Sequence, residues 1–320
     1  MDDRPIAERM PTEGPAARVA PKRVSLRRRE AIEGYLFITP WILGFLMFSA
    51  GPMLASLVLS TTKYSIIAPP EAIGLQNYQY AFQSDELFWG SLLRTVQYAV
   101  GNVVIGVTLS LLAAILLNQK LRGTVAFRTF FFLPSLTPAV AAALLWQWIL
   151  QPDVGLVNSF LHQFGIQGPG WMKSTEWALP SLVLVALWTG VGGGRMIIFL
   201  AGLQGVPQEL YEAANLDGAN YWHRFRHVTL PMVSPTVFFN MVLGIIGSFS
   251  VFSVAFIATE GGPAYATWFY VLHLYQAAFR NFEMGYASAL AWVFFVILLV
   301  LTVFQLTLSK RWVHYEGEVK

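Results

Sequence analysis

The chain has no cysteine among its 320 residues, which excludes disulfides, thiolate metal centres and cysteine nucleophiles at once. Charge is the second shortage: 12% of residues are charged, against roughly 25% in soluble domains. No acidic residue falls inside any of the long apolar runs. That removes the carboxylates which a proton- or cation-coupled carrier places in its spans. It also leaves no acid pair, nucleophile–base set or metal cluster for a membrane enzyme. A GxxxxGK[ST] phosphate cradle is missing too, because Lys173-Ser174 lacks the preceding glycine. Any ATP used must be consumed by another chain.

What the chain has in abundance is apolar length. Hydrophobic residues make up 55% of it and the mean hydropathy is +0.53. A helix crossing roughly 30 Å of hydrocarbon needs about 20 such residues. Uncharged runs cover Gly34 to Thr62 (29 residues), Thr95 to Gln119 (25), Thr129 to Pro152 (24), His227 to Thr259 (33) and Met284 to Ser309 (26). A sixth, Trp177 to Gln208, is broken only by Arg195. These runs are apolar all round, whereas a soluble bundle needs a polar helix face, and the short alternating segments of a β-barrel are absent. The reading is an all-α integral membrane protein of six spans, at about 35–60, 92–117, 129–150, 179–203, 232–258 and 286–308.

An even number of spans puts both termini on one side. Lys and Arg favour cytoplasmic segments. With the amino terminus inside, sixteen lie on inner segments and four (Lys63, Arg94, Lys173 and Arg280) on outer ones. Both termini are therefore expected in the cytoplasm, and the net charge of +3 is a topology signal that points to no nucleic-acid partner. Residues 1–33 read as a loosely ordered cytoplasmic tail, 34–309 as the six-span domain and 310–320 as a second tail.

Along the chain, the stretch from Thr61 to Gly90 reads as a short external helix. Asn102, Gly101 and Gly106 suit close helix packing in the second span. Pro134 and Pro138 are expected to kink the third near its cytoplasmic end, and Trp146 and Trp148 to sit at interface depth. The fourth contains WTGVGGGR from Trp188 to Arg195, a glycine run beside a lone charge. Arg195 is a functional candidate by position, with snorkelling or interhelical pairing as the structural alternative. Facing the pathway, it would favour an anionic substrate such as a phosphorylated polyol. His223 and His227 share a helical spacing, yet with Arg224 and Arg226 adjacent and no third ligand they read as a solvated face, so no metal is assigned. His162, His273 and His314 are isolated and receive no role.

One long polar insert, Pro207 to Pro231, separates the fourth and fifth spans, and the charge census places it in the cytoplasm. Pro207 suits a first helical turn, Gly218 a left-handed close, and Asn220 the cap of a second short helix. The product is a compact helix–turn–helix on which another protein could dock.

The pattern Glu212-Ala213-Ala214, three residues, Gly218, nine residues, Val228, one residue, Leu230-Pro231 resembles the EAA loop of bacterial ABC importer permeases. The segments GLQNYQYAF (Gly74 to Phe82), Trp146 through Gly155 to Asn158, LAGLQGVP (Leu200 to Pro207), TEGGP (Thr259 to Pro263) and GYASALAW are similar to the sugar-uptake, maltose-permease-like branch. The resemblance implies a cytoplasmic EAA coupling helix between the fourth and fifth spans, with Glu212, Ala213, Ala214, Asp217, Gly218, Leu230 and Pro231 as the ATPase-coupling residues. It implies a heterodimer with a second permease, two ATPase subunits that carry the ATP and Mg, and an extracytoplasmic sugar-binding protein, all at the bacterial inner membrane. This chain would itself bind no cofactor. The substrate pathway would run past Trp188, Gly190, Gly193, Gly194, Gly244, Gly247, Ser248 and Val251. Gly194 and Gly244 stand where that branch would offer hydroxyl contacts, so the sister subunit would hold most of the sugar. Packing surface is the structural alternative for each of these small residues, and packing bulk for Trp188.

Overall fold

The computed structural model describes residues 26–119 and 122–314. Most of the expected amino-terminal tail and residues 315–320 lie outside the described residues, but helix starts at Leu26, eight residues inside the segment read as tail. The chain divides into two units, one ending at Leu54 and the other running from Ala55 onward. The first consists of α1 (Leu26–Phe45), a π-helical turn (Leu46–Ala50) and the start of α2 (Gly51–Leu59). Its apolar side chains stand open all round, as in Phe37 and Trp41, which is the surface a lipid-facing helix presents.

The second unit opens with a two-stranded hairpin, β1 (Thr62–Lys63) against β2 (Glu71–Ala72), and then α3 (Gln76–Gln83). The sequence showed the helix but not the hairpin, whose paired stretches are only two residues long. Asn77 Nδ2 holds the turn by donating to the carbonyls of Ser60 and Thr62 at 2.8 and 2.9 Å.

α4 (Glu86–Leu117) is the central element. Asp85 caps it by accepting from the Leu87 N–H, and Glu86 lies in its positive first turn. Its buried stripe of Tyr98, Asn102, Gly106, Ser110 and Ala114 repeats every four residues, and small side chains there let other helices approach. α8 (Ala178–Gly190), α9 (Gly194–Gln204) and α12 (Leu230–Phe249) all pack on α4.

Two candidate spans are broken. α5 (Thr124–Phe132) continues through a 3₁₀ turn to Leu136 and meets α6 (Ala139–Ile149) at 96°, with Pro138 capping the second piece. α8 meets α9 at 50° across the glycine run. The unbroken stretches long and apolar enough to cross a membrane are Arg27–Leu59, Glu86–Leu117, Tyr221–Ala258 and Met284–Ser309, so the described residues hold four such helices, or up to six if each bent pair is one span.

Between α6 and α8 lie α7 (Leu156–Gln163) and a loop tied by Asn158, whose amide donates to Pro152 O and Pro169 O while Trp171 Nε1 donates to its Oδ1 at 2.6 Å. After α9 come α10 (Gln208–Leu216), α11 (Tyr221–Arg224) and a π-helical turn into α12. Pro235 inside α12 has no N–H to give to Pro231 O, and Ser234 Oγ bonds that carbonyl instead at 2.6 Å. α13 (Ser253–Ala258), α14 (Tyr270–Tyr275) and α15 (Met284–Ser309) complete the unit.

Candidate functional site

The gap between α8 and α9 is built by glycine. Gly192 is buried against Phe131, so closely that a Cβ would overlap that residue's carbonyl oxygen, and a Cβ on Gly193 would meet the Ser135 side chain at 2.8 Å. The break in α8–α9 thus seats on the break in α5–α6. The chain re-enters a helix at Gly194, with no side-chain cap on the α9 terminus, and Arg195 follows in the first turn.

The Arg195 guanidinium lies across α4. Its Nη1 makes one long hydrogen bond, 3.4 Å, to Asn102 O. Three helices present glycine to it. A Cβ on Gly106 of α4 would collide with Nη1, one on Gly190 of α8 would touch Nη1 at 3.8 Å, and one on Gly244 of α12 would lie 3.6 Å from Nη2. Asn102 donates to Ser248 Oγ at 2.9 Å, leaving its buried Oδ1 without a partner. Of the two structural alternatives for Arg195, the geometry shows interhelical pairing and not snorkelling: the side chain crosses to a neighbouring helix.

Of the sequence-derived pathway residues, Gly190, Gly244 and Ser248 converge here. Trp188 stands edge-on to Trp146, ring centroids 5.7 Å apart, and Trp146 Nε1 is a second buried polar atom without a partner. Gly193 is buried in packing, Gly194 and Gly247 are exposed with no atom within 4 Å of a would-be Cβ, and Val251 lies in a core cluster with Tyr98 and Phe269. Asn102 and Gly106, read as packing residues, lie against the Arg195 guanidinium, and Trp146, read as an interface anchor, packs on Trp188. No local signal separates these roles, since both demand small or amphipathic residues on a helix face.

The insert folds as its turn chemistry requires. α10 carries Glu212, Ala213 and Ala214, with Glu212 and Ala213 exposed. Asp217 follows, Gly218 takes φ +75°, and Ala219 N returns to Ala214 O at 2.9 Å. Asn220 caps α11 by accepting from His223 N. Two bonds clamp the helices together, Arg224 Nη1 to Asn215 Oδ1 at 2.7 Å and Tyr211 Oη with Thr229 Oγ1 at 3.0 Å. Leu216, Tyr221 and Trp222 stand exposed around the turn. Leu230 and Pro231 begin α12.

Far along the sequence from the insert, His273 has a partner after all. Its Nε2 lies 2.7 Å from Asp85 Oδ2, the Tyr286 hydroxyl donates to the same oxygen, and Trp268 Nε1 donates to His273 Nδ1 at 3.2 Å. The histidine and aspartate are 188 residues apart, so no spacing rule could join them. Burial works to raise the Asp85 carboxyl, but the Tyr286 hydroxyl, the His273 imidazole and the Leu87 N–H outweigh it and hold the group below its usual 3.8. A depressed carboxyl contributes stability that is present above its unfolded value and lost as pH falls through its folded one. Melting curves should show this contribution disappearing below about pH 4. Asp85→Asn should lower stability at neutral pH by about 1–3 kcal/mol and flatten that acid limb.

Residues 106–314 match the profile of the family described as binding-protein-dependent transport system inner membrane component. The chain belongs to this family. The permease is 42% identical over 295 residues to the probable ABC transporter permease protein YesP of Bacillus subtilis (strain 168), covering 91% of this chain and 94% of that one. It is 34% identical over 292 residues to the arabinooligosaccharides transport system permease protein AraP of the same organism, covering 89% and 90%. Its fold matches, with a TM-score of 0.80 at 23% identity over 91% of this chain and 98% of the other, a chain in the crystal structure of a bacterial alginate ABC transporter in complex with alginate pentasaccharide-bound periplasmic protein. The permease is thus an ABC importer subunit of the inner membrane with several membrane-crossing helices, a transport component and not an enzyme.

Proposed function

We propose that this permease forms half of the translocation pathway of a binding-protein-dependent importer for a mono- or oligosaccharide. The likeness over nine-tenths of the chain to a permease named for arabinooligosaccharides carries the substrate class. The indole pair beside the α8–α9 break supports it, since aromatic surface is chemistry a pyranose can use. In this reading each bent pair is one span, giving six spans with both termini in the cytoplasm. Trp188, Gly190, Gly193, Gly194, Gly244, Gly247, Ser248 and Val251 border or shape the pathway.

The helix α10 is the coupling helix. Its Glu212, Ala213, Ala214 and Asp217, the Gly218 turn and the Leu230-Pro231 entry to α12 meet an ATPase subunit, so that closure of the ATP sandwich moves the spans. Partners are a second permease, two ATPase subunits holding ATP and Mg, an extracytoplasmic sugar-binding protein and the surrounding lipid. Reconstitution of the complete complex in proteoliposomes tests this. Sugar uptake should require internal ATP and the binding protein together, and uptake driven by an ion gradient alone would refute the reading.

A further inference from the structure

We propose that Arg195 makes this permease selective for acidic sugars, its guanidinium receiving a carboxylate of the substrate; the inference rests on the sugar-pathway reading above. Arginine inside a span is costly to insert, so its retention needs a compensating partner or a use. Among the described residues it has no ion-pair partner, and its one hydrogen bond is a long contact to a backbone carbonyl. A guanidinium has five N–H donors. None of the Arg195 nitrogens is among the buried atoms left without a partner, and the residue is half-buried, so its remaining donors are accessible from outside the chain.

The surroundings are shaped for that group. Gly106, Gly190 and Gly244 come from three different helices, and a side chain at Gly106 would take the volume of Nη1 itself. Asn102 Oδ1, next to Gly106, is buried without a partner. A packing arginine would not need open donors. The planar fork matches a carboxylate bidentately, and one fixed positive charge balances one carboxylate. A phosphate monoester, with about −1.5 to −2 charges at neutral pH, would remain under-compensated.

Equilibrium dialysis of the purified complete permease–ATPase complex, without binding protein, against a short oligouronide and against its neutral methyl ester isolates the charge. The wild type should bind the acid roughly 10- to 100-fold more tightly than the ester, with the preference shrinking as salt rises. Arg195→Gln should bind both alike, and Arg195→Lys should keep part of the preference. Equal wild-type affinity for acid and ester overturns the inference, and this comparison needs no variant to fold. An unchanged preference in a correctly assembled Arg195→Gln complex also overturns it, as does tighter wild-type binding of a phosphorylated or sulfated sugar. Failure of the underlying reading looks different: the wild-type proteoliposomes would show no sugar uptake dependent on both ATP and the binding protein.

Discussion

Replacing Gly192 by alanine is expected to remove most of the folded permease from the membrane. The position needs space, not an unusual backbone angle, because the added Cβ would fall on the carbonyl oxygen of Phe131. That oxygen belongs to backbone at the end of α5, just before the 3₁₀ turn, so no side-chain rotation relieves the contact. The two broken stretches must separate, and Gly193 loses its seat against Ser135 at the same time. Overpacking of this kind costs about 1–3 kcal/mol or more, which is about 5- to 150-fold in folded population. Detergent-extracted material should be depleted and its melting temperature lowered. The control is Gly194→Ala, where nothing lies within 4 Å of the new Cβ and near wild-type yield is expected. Equal yields for the two variants would mean that the breaks do not depend on each other.

A second large effect is expected at Gly218, for the opposite reason. Nothing crowds this glycine, but its φ of +75° belongs to the left-handed region. A non-glycine residue there costs about 1–2 kcal/mol, and β-branched valine fits it worst. Gly218→Val should therefore unseat the turn that joins α10 to α11, including the Ala219 N to Ala214 O bond. The spans are formed without this turn, so insertion and yield should stay near wild type. On the coupling role proposed for α10, substrate-stimulated ATP hydrolysis and uptake should fall about tenfold, and the ATPase should copurify less well. Gly218→Asn, which tolerates the left-handed conformation, should recover part of the activity. Normal copurification and transport by Gly218→Val would remove α10 from the coupling role.

The contrast between these glycines shows where sequence reasoning reaches and where it stops. Gly218 was legible because a left-handed close between a helix and the cap of the next is a local pattern, carried by Gly218, Asn220 and the helix preceding them. Gly192 was legible only as part of an odd run; its reason lies in Phe131, on a different span. The same distinction holds for charge. Asp85 as a helix cap is a neighbour relation, whereas its bonds with His273 and Tyr286 appear only when α14 and α15 are brought back to the start of α4. The hairpin at Thr62–Lys63 and Glu71–Ala72 left no signal because two-residue strands have no period to detect.

The amino-acid sequence by itself determined the medium this protein lives in, the approximate place of every apolar segment, the polar insert and the turn that shapes it. Those features follow from hydrophobicity, missing charge and local backbone preference, each of which acts over a few turns of helix. Only the tertiary structure decided which small residues are packing and which enclose Arg195, since Gly106, Gly190 and Gly244 are interchangeable in composition. It also decided that Arg195 crosses to α4 instead of following its own helix toward water. The physical reason is that a helix face is specified by neighbours three and four residues away, whereas a cleft is specified by which faces meet.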